Sequence, residues 1–282
     1  MTKTRPAAID GVVKVGGSLF ELDDWPSRLI AWLTARPRIV TEVRADERCG
    51  GKPIDTPRRV ETWLLVAGGG PWIDTLRDWN ARQALGEEAC HGWCAKLLSV
   101  TADLALNRLL VAAAKTKRAE CVASPMAVEQ TGRGPSKARR ATSWKDAVAV
   151  FPRVLPAAEI REFPRLVNAR EASGPTANVS LGVIDSGEYL ERASRRGTRR
   201  LPRDWTVSSD SVAAHLARRV HARTLVLAKS CPLPQTAATA AAAASMGLVD
   251  RHFPKAAAGL VSIQWLDLRT PNPDALQFHV SD

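Results

Sequence analysis

The sequence predicts an α/β fold, because twice in its N-terminal part an apolar run ends in glycines and passes into a helical pattern. Residues 9–19, IDGVVKVGGSL, hold Val12, Val13 and Val15 between glycines. That reads as a buried strand, since β-branched side chains suit a pleat covered on both faces. The run Trp63-Leu64-Leu65-Val66-Ala67 ends in Gly68-Gly69-Gly70-Pro71, and Trp72, Ile73, Leu76 and Trp79 follow at helical spacing. A third observation comes late in the chain. Ser208-Ser209-Asp210-Ser211-Val212-Ala213-Ala214 opens a helix expected to about His221, and the strand Thr224-Leu225-Val226-Leu227-Ala228 ends in Lys229.

Each junction carries chemistry. Lys14 interrupts the first apolar run, where an ammonium needs an anionic partner at the strand's carboxyl edge. Gly16-Gly17-Ser18 follows, and glycines let backbone N–H groups approach an anion with no Cβ in the way. Ligands of open α/β sheets sit beyond the carboxyl ends of the strands, where this tripeptide falls. The same residues also fit a plain strand–turn–helix junction with a snorkelling lysine. Pro71 suits a first helical turn, and each helix start offers unpaired N–H groups to a phosphate.

The elements between follow in order. Asp23 or Asp24 is placed to cap a helix through Trp25, Leu29, Ile30 and Leu33, ending before Pro37. A short strand is expected over 39–43, and a polar surface loop over 47–59. A long helix after Gly86-Glu87-Glu88 is given the buried stripe Trp93, Leu97, Val100, Leu104 and Val111. Strands are expected over 121–124 and 148–151, with a basic loop over 130–142 between them. Residues 155–201 read as a long polar insert outside the core, with a hairpin formed by 179–184 and Tyr189. An Ala-rich helix over about 236–246 and a last strand over 260–266 complete the reading. The tail after Pro271 carries no clear signal.

Composition bounds the function. At 282 residues and 45% hydrophobic content the chain can bury a sizeable core. No apolar run reaches bilayer-spanning length, and residues 1–11 lack a signal core, so a cytoplasmic, membrane-free setting is expected. Five cysteines (Cys49, Cys90, Cys94, Cys121, Cys231) lack a framework spacing. Cys90, His91 and Cys94 fall short of four ligands, so no metal site is expected. The net charge of +11 permits nucleic-acid binding. However, the clusters at Arg192–Arg203 and Arg133–Arg140 carry no interleaved aromatics or binding motif, so solvated loops or a field for anionic substrates are the preferred readings.

Neither a G-x-x-x-x-G-K-S/T loop nor a helix-opening G-x-G-x-x-G with its acidic partner is present, which removes P-loop NTPases, Rossmann dehydrogenases and protein kinases. Phosphoryl transfer needs positive charge and N–H donors around the transferred group. Lys14 and Lys229 would supply the first, and Gly16, Gly17, Gly69 and Gly70 the second. Asp210 stands at a helix start, where an N-cap is its plain role. For Trp205 a pocket-lining role stands beside a core role, and the core role is preferred in a chain with nine tryptophans.

K-V-G-G-S after the first strand, G-G-G after the second and S-S-D-S-V-A-A before a helix together resemble the amino acid kinase superfamily, over most of the chain. Residues 201–210 (LPRDWTVSSD), His91-Gly92-Trp93 and 247–254 (GLVDRHFP) are most similar to the kinases of methanofuran biosynthesis that phosphorylate aminomethylfuran-methyl phosphate. The resemblance implies a single three-layer αβα sandwich with a mostly parallel central sheet. About 1–160 would bind the acceptor and about 201–282 the nucleotide, with 161–200 an insertion where those kinases have a short connection. It implies ATP and Mg2+, the metal held mainly through the phosphates, and a homo-oligomer. Lys14, Asp210 and Lys229 would be catalytic, with Asp210 orienting the lysines and Lys255 the fallback for Lys229. Gly16, Gly17, Ser18 and Ser209 would hold phosphate or nucleotide, and Gly68, Gly69, Gly70 and His91 the acceptor. A capping or surface role for His91 stands beside that one. A kinase for an amino-acid carboxylate or isoprenoid phosphate, and a non-catalytic nucleotide-binding regulator, are the alternatives.

Overall fold

A computed structural model describes residues 9–36, 60–123, 148–171, 177–195, 200–271 and 273–279. Seven strands form one sheet: β1 (Gly11–Val15), β2 (Glu61–Ala67), β3 (Val148–Val150), β4 (Val179–Val183), β5 (Thr224–Lys229), β6 (Ile263–Asp267) and β7 (Ala275–Phe278). Their order is β3-β4-β2-β1-β5-β6-β7, parallel throughout except for β7, which runs antiparallel to β6. The helices are α1 (Trp25–Ala35), α2 (Gly70–Gln83), α3 (Glu87–Ala123), α4 (Phe163–Glu171), α5 (Ser186–Arg195), α6 (Ser209–Arg219), α7 (Ala240–Ser245) and α8 (Phe253–Ala257). The chain is thus α/β with a mostly parallel mixed sheet, consistent with a three-layer sandwich.

Strand alternation divides the core. Val12, Leu64, Leu225 and Leu227 join one buried cluster with α5, α6 and α8, whereas Val13, Leu65 and Val226 join another with α1 and most of α3. The same period of two puts Lys14 on the face of Val12, and Lys229 on the face of Leu225 and Leu227. Both lysines therefore lie on the α6 side. β1 is central, with β2 on one flank and β5 on the other. Chain connections diverge at such a point, and a crevice opens beyond the carboxyl ends of the strands.

Several expectations are corrected. Residues 161–200 are not an insertion outside the core: they supply β4, an interior strand paired with both β2 and β3. The hairpin expected over 179–184 and Tyr189 is replaced, among the described residues, by parallel pairing of 179–183 and a direct turn into α5, which buries Tyr189. Residues 121–123 belong to α3 rather than to a strand, a short apolar run being ambiguous between the two. The tail contributes β7. The Ala-rich helix is shorter than expected, since a 3-10 turn over Gln235–Ala237 takes its first residues. The stretches 39–43, 47–59 and 130–142 lie outside the described residues.

The expected stripe of α3 is its exposed one: Trp93, Val100, Leu104 and Val111 are 36–56% exposed. The buried face is His91, Ala95, Leu98, Ala102, Ala105, Leu109 and Ala112. Small residues win it because the neighbours come close; a Cβ on Gly187 of α5 would overlap the carbonyl of Ala95. On α2, likewise, Leu76 is buried while Trp72 and Trp79 are about half exposed. Residues 87–116 of α3 are long and apolar enough by composition to span a bilayer, contrary to the expectation that no segment is. In this fold their buried face serves as core.

Candidate functional site

Three charged side chains meet at the crevice. Lys14, the fourth residue of β1, and Lys229, the last of β5, both reach the Asp210 carboxylate in the first turn of α6. Lys229 Nζ donates to Asp210 Oδ2 at 2.9 Å. Lys14 Nζ lies 2.9 Å from Oδ1, an ion pair outside hydrogen-bond alignment. Lys14 and Asp210 are each 4% exposed and Lys229 is 9%. Lys255, the fallback, is exposed on α8.

Burial and pairing set the charges. Desolvation pushes Lys14 down to about 8, although Asp210 opposes that shift; the Lys229 ammonium adds to it. For Asp210, burial acts upward, but the two ammonium groups outweigh it and hold the carboxyl at about 2. The sign of the linkage follows. Between about 2 and 3.8 the unfolded chain holds more protons at Asp210, so its contribution to stability is lost as pH falls through that window. Between about 8 and 10.5 the unfolded chain also holds more protons at Lys14, so the cost of burying that charge is relieved as pH rises.

The two glycine loops touch. A Cβ on Gly17 would overlap the backbone of Gly70, which itself has φ +61. A Cβ on Gly68 would stand 2.8 Å from Gly17 N and 3.1 Å from Ser209 Oγ. Gly68 thus supports the crevice from below and does not line it. The Gly16 N–H, expected as a free donor, instead continues the sheet ladder to Ala228 O at 2.8 Å. Ser18 Oγ and Ser230 Oγ share a 2.7 Å hydrogen bond that ties the first loop to the end of β5.

Two cavities adjoin this centre. One, of about 260 Å3, is lined by Lys14, Gly16, Gly17, Ser18, Gly69, Gly70, His91, Ser209 and Lys229, with Ile73, Leu98 and Leu190 as apolar wall. Glycines and serines sorted by the sequence reading into nucleotide and acceptor sets therefore share one space. The other, of about 1110 Å3, is lined by Asp210, Lys229, Ala241, Ala244, Gly247, Leu248, Asp250 and Pro254. Arg77, Trp205, Ser208 and Lys229 line both.

His91 is buried near the start of α3, and its Nε2 has no hydrogen-bond partner among the described residues. Glu191 Oε1 is 3.8 Å away. Burial first, then the Arg203 charge, lowers the ring's pKa and favours neutral imidazole. Cys94 lines the same cavity, its thiol pushed up to about 11 by burial. No group of three metal-ligating side chains occurs among the described residues.

Trp205 is not in the core as expected. It lines both cavities, with the Arg77 guanidinium 5.4 Å from its ring centroid. Asp210 is not the N-cap of α6; Ser208 is, its Oγ accepting from Asp210 N at 3.4 Å. Arg77 and Asp250 escaped the sequence reading, because nothing local marks a residue that acts through a partner some 40 or more positions away. Comparison with protein-family models finds no match to this chain, and comparison with curated proteins finds none either.

Proposed function

We propose that the protein is an ATP-dependent phosphotransferase of amino acid kinase-like fold, acting on a small, already phosphorylated acceptor. The observation that carries this reading is one buried carboxylate holding two lysines, from adjacent strand ends, where two cavities meet. Magnesium-bound ATP, when present, supplies the phosphoryl group and the metal's charge. Lys14 and Lys229 would stabilise charge on the transferred oxygens, and the Gly17, Gly69 and Gly70 backbone would approach them closely. Asp210, paired twice and held at about 2, keeps the lysines in place and is no proton acceptor near neutral pH. An acceptor that is already ionised needs no such base, which favours a phosphate monoester over an alcohol.

The larger cavity suits the nucleotide and the smaller one the acceptor. Aminomethylfuran-methyl phosphate is the first acceptor to try. An ADP-release assay with magnesium and a panel of phosphate-, carboxylate- and isoprenoid-type acceptors tests the reading. Turnover with one of them is expected; ATP binding without turnover on any would count against catalysis. A homo-oligomer belongs to the same reading and is checked by sedimentation.

Two expectations arise here. Because Lys14 of the free protein loses its proton at about pH 8, kcat/KM should fall as pH rises through that value. A flat profile to pH about 10, with the chain folded, would contradict a charged-lysine role. His91→Ala should raise the acceptor KM about tenfold with kcat little changed, the loss of roughly one hydrogen bond. An unchanged KM would return His91 to a purely structural role.

A further inference from the structure

The turn 247–251, between α7 and α8, bonds to both ends of the lysine–carboxylate centre. Leu248 O accepts from Lys229 Nζ at 2.8 Å. Asp250 Oδ2 accepts from Ser208 N at 2.9 Å, Ser208 Oγ at 2.8 Å and Ser211 N at 2.9 Å, and Oδ1 accepts from Ser211 Oγ. These are the residues flanking Asp210. The carboxylate thus caps α6 from a distant part of the chain, satisfying N–H groups that a helix start leaves open. His252 N, donating to Thr206 O at 3.1 Å, joins the same two segments again.

Such a cap is costly to build. Burial raises the Asp250 pKa, as does the neighbouring Asp210 charge, and the serine hydrogen bonds oppose the shift. A helix start already capped by Ser208 does not need a second carboxylate placed near a like charge merely to be stable. What four bonds to Ser208 and Ser211 add is a fixed rotation and height for the first turn of α6. Asp210 needs both, because its two oxygens must face lysines from different strands.

We infer that Asp250 is the positioning residue of this site, setting the N-terminus of α6 so that the single carboxylate of Asp210 engages Lys14 and Lys229 together. The role rests on the phosphotransfer reading for its purpose, but not for its geometry. Asp250 also lines the larger cavity, so whatever fills that cavity would lie against the group that sets the centre.

The test reads the lysines directly, without nucleotide. Full-length protein is acetylated with trace acetic anhydride near neutral pH, and rates at Lys14 and Lys229 are compared with that of exposed Lys96 by peptide mass spectrometry. Asp250→Ala should speed both site lysines about tenfold relative to Lys96, because lysines released from the carboxylate move more freely into reach of the reagent. Asp250→Asn can keep three of the four bonds and should stay within about threefold of wild type. In an Asp210→Asn background, Asp250→Ala should add less than about twofold, because it acts through Asp210. Wild-type labelling in folded Asp250→Ala, or a full tenfold increment in the Asp210→Asn background, would overturn the inference. Should Asp250→Ala fail to fold, Ser208→Ala/Ser211→Ala removes two of the four bonds at little change in volume. About threefold faster labelling is then expected, and none would overturn it. MgATP binding is measured by calorimetry on the same proteins. A wild type that does not bind it defeats the phosphotransfer reading and leaves the labelling result standing.

Discussion

Replacing residues 169–196 with a short Gly/Ser linker should leave no folded protein. A surface insertion would tolerate the change, since loop length costs little. Here the replacement deletes β4, whose Val179, Leu181 and Val183 are at most 1% exposed and whose two edges pair with β2 and β3. It also removes α5, with buried Tyr189 and Leu190. Each such side chain contributes about 1.5–3 kcal/mol on burial, and five of them rival the whole stability of roughly 5–15 kcal/mol of an ordinary domain. Circular dichroism with thermal melting should show no cooperative transition. A shortened chain that melts cooperatively near the wild-type temperature would mean that β4 is dispensable and the sheet assignment wrong.

The second large effect is chemical. Lys14→Ala should lower kcat by about two to three decades, or on the order of 3–4 kcal/mol, the usual loss for one charged donor to a transferred group. MgATP binding should weaken far less, because the ground state has other contacts. Removing Lys14 also leaves the buried Asp210 carboxylate with one ammonium partner instead of two, so the variant should lose some stability beyond its cavity penalty while staying folded. A variant that loses binding and turnover in equal measure would mark Lys14 as a ground-state contact only.

Much of this was legible before the structure, for a physical reason. β1, β2 and β5 are continuous β-branched and aliphatic runs, the mark of strands covered on both faces. Lys14 stood out because a charge near the end of such a run needs a partner. Lys229 was singled out at a second strand end with Lys255 as its fallback, and that Lys14 and Lys229 share one face emerged only from the strand registers. Other features were hidden. The buried face of α3 is built from Ala95, Ala102, Ala105 and Ala112, whereas bulk on the opposite stripe gives the stronger hydropathy signal. β4 has the composition of a strand, but polar flanks and a long connection disguised it as an insertion. β7 joins the sheet at an edge, where half-exposed Leu276 leaves no apolar run to find. Asp250 was quoted within a motif and given no part, since a cap reaching back 39 residues to Ser211 has no sequence period.

Asp210 is proposed to act through the lysines, and a double-mutant cycle on kcat tests that most directly. Asp210→Asn preserves shape and leaves the cap, which belongs to Ser208 and Asp250, in place. It removes the charge that holds Lys14 and Lys229. With a turned-over acceptor and magnesium, both single variants should be slow and folded. Lys14→Ala/Asp210→Asn should be scarcely slower than the slower single variant, a coupling of at least about 2 kcal/mol. Nearly additive losses would contradict the account, showing that the carboxylate works independently of the lysine it touches.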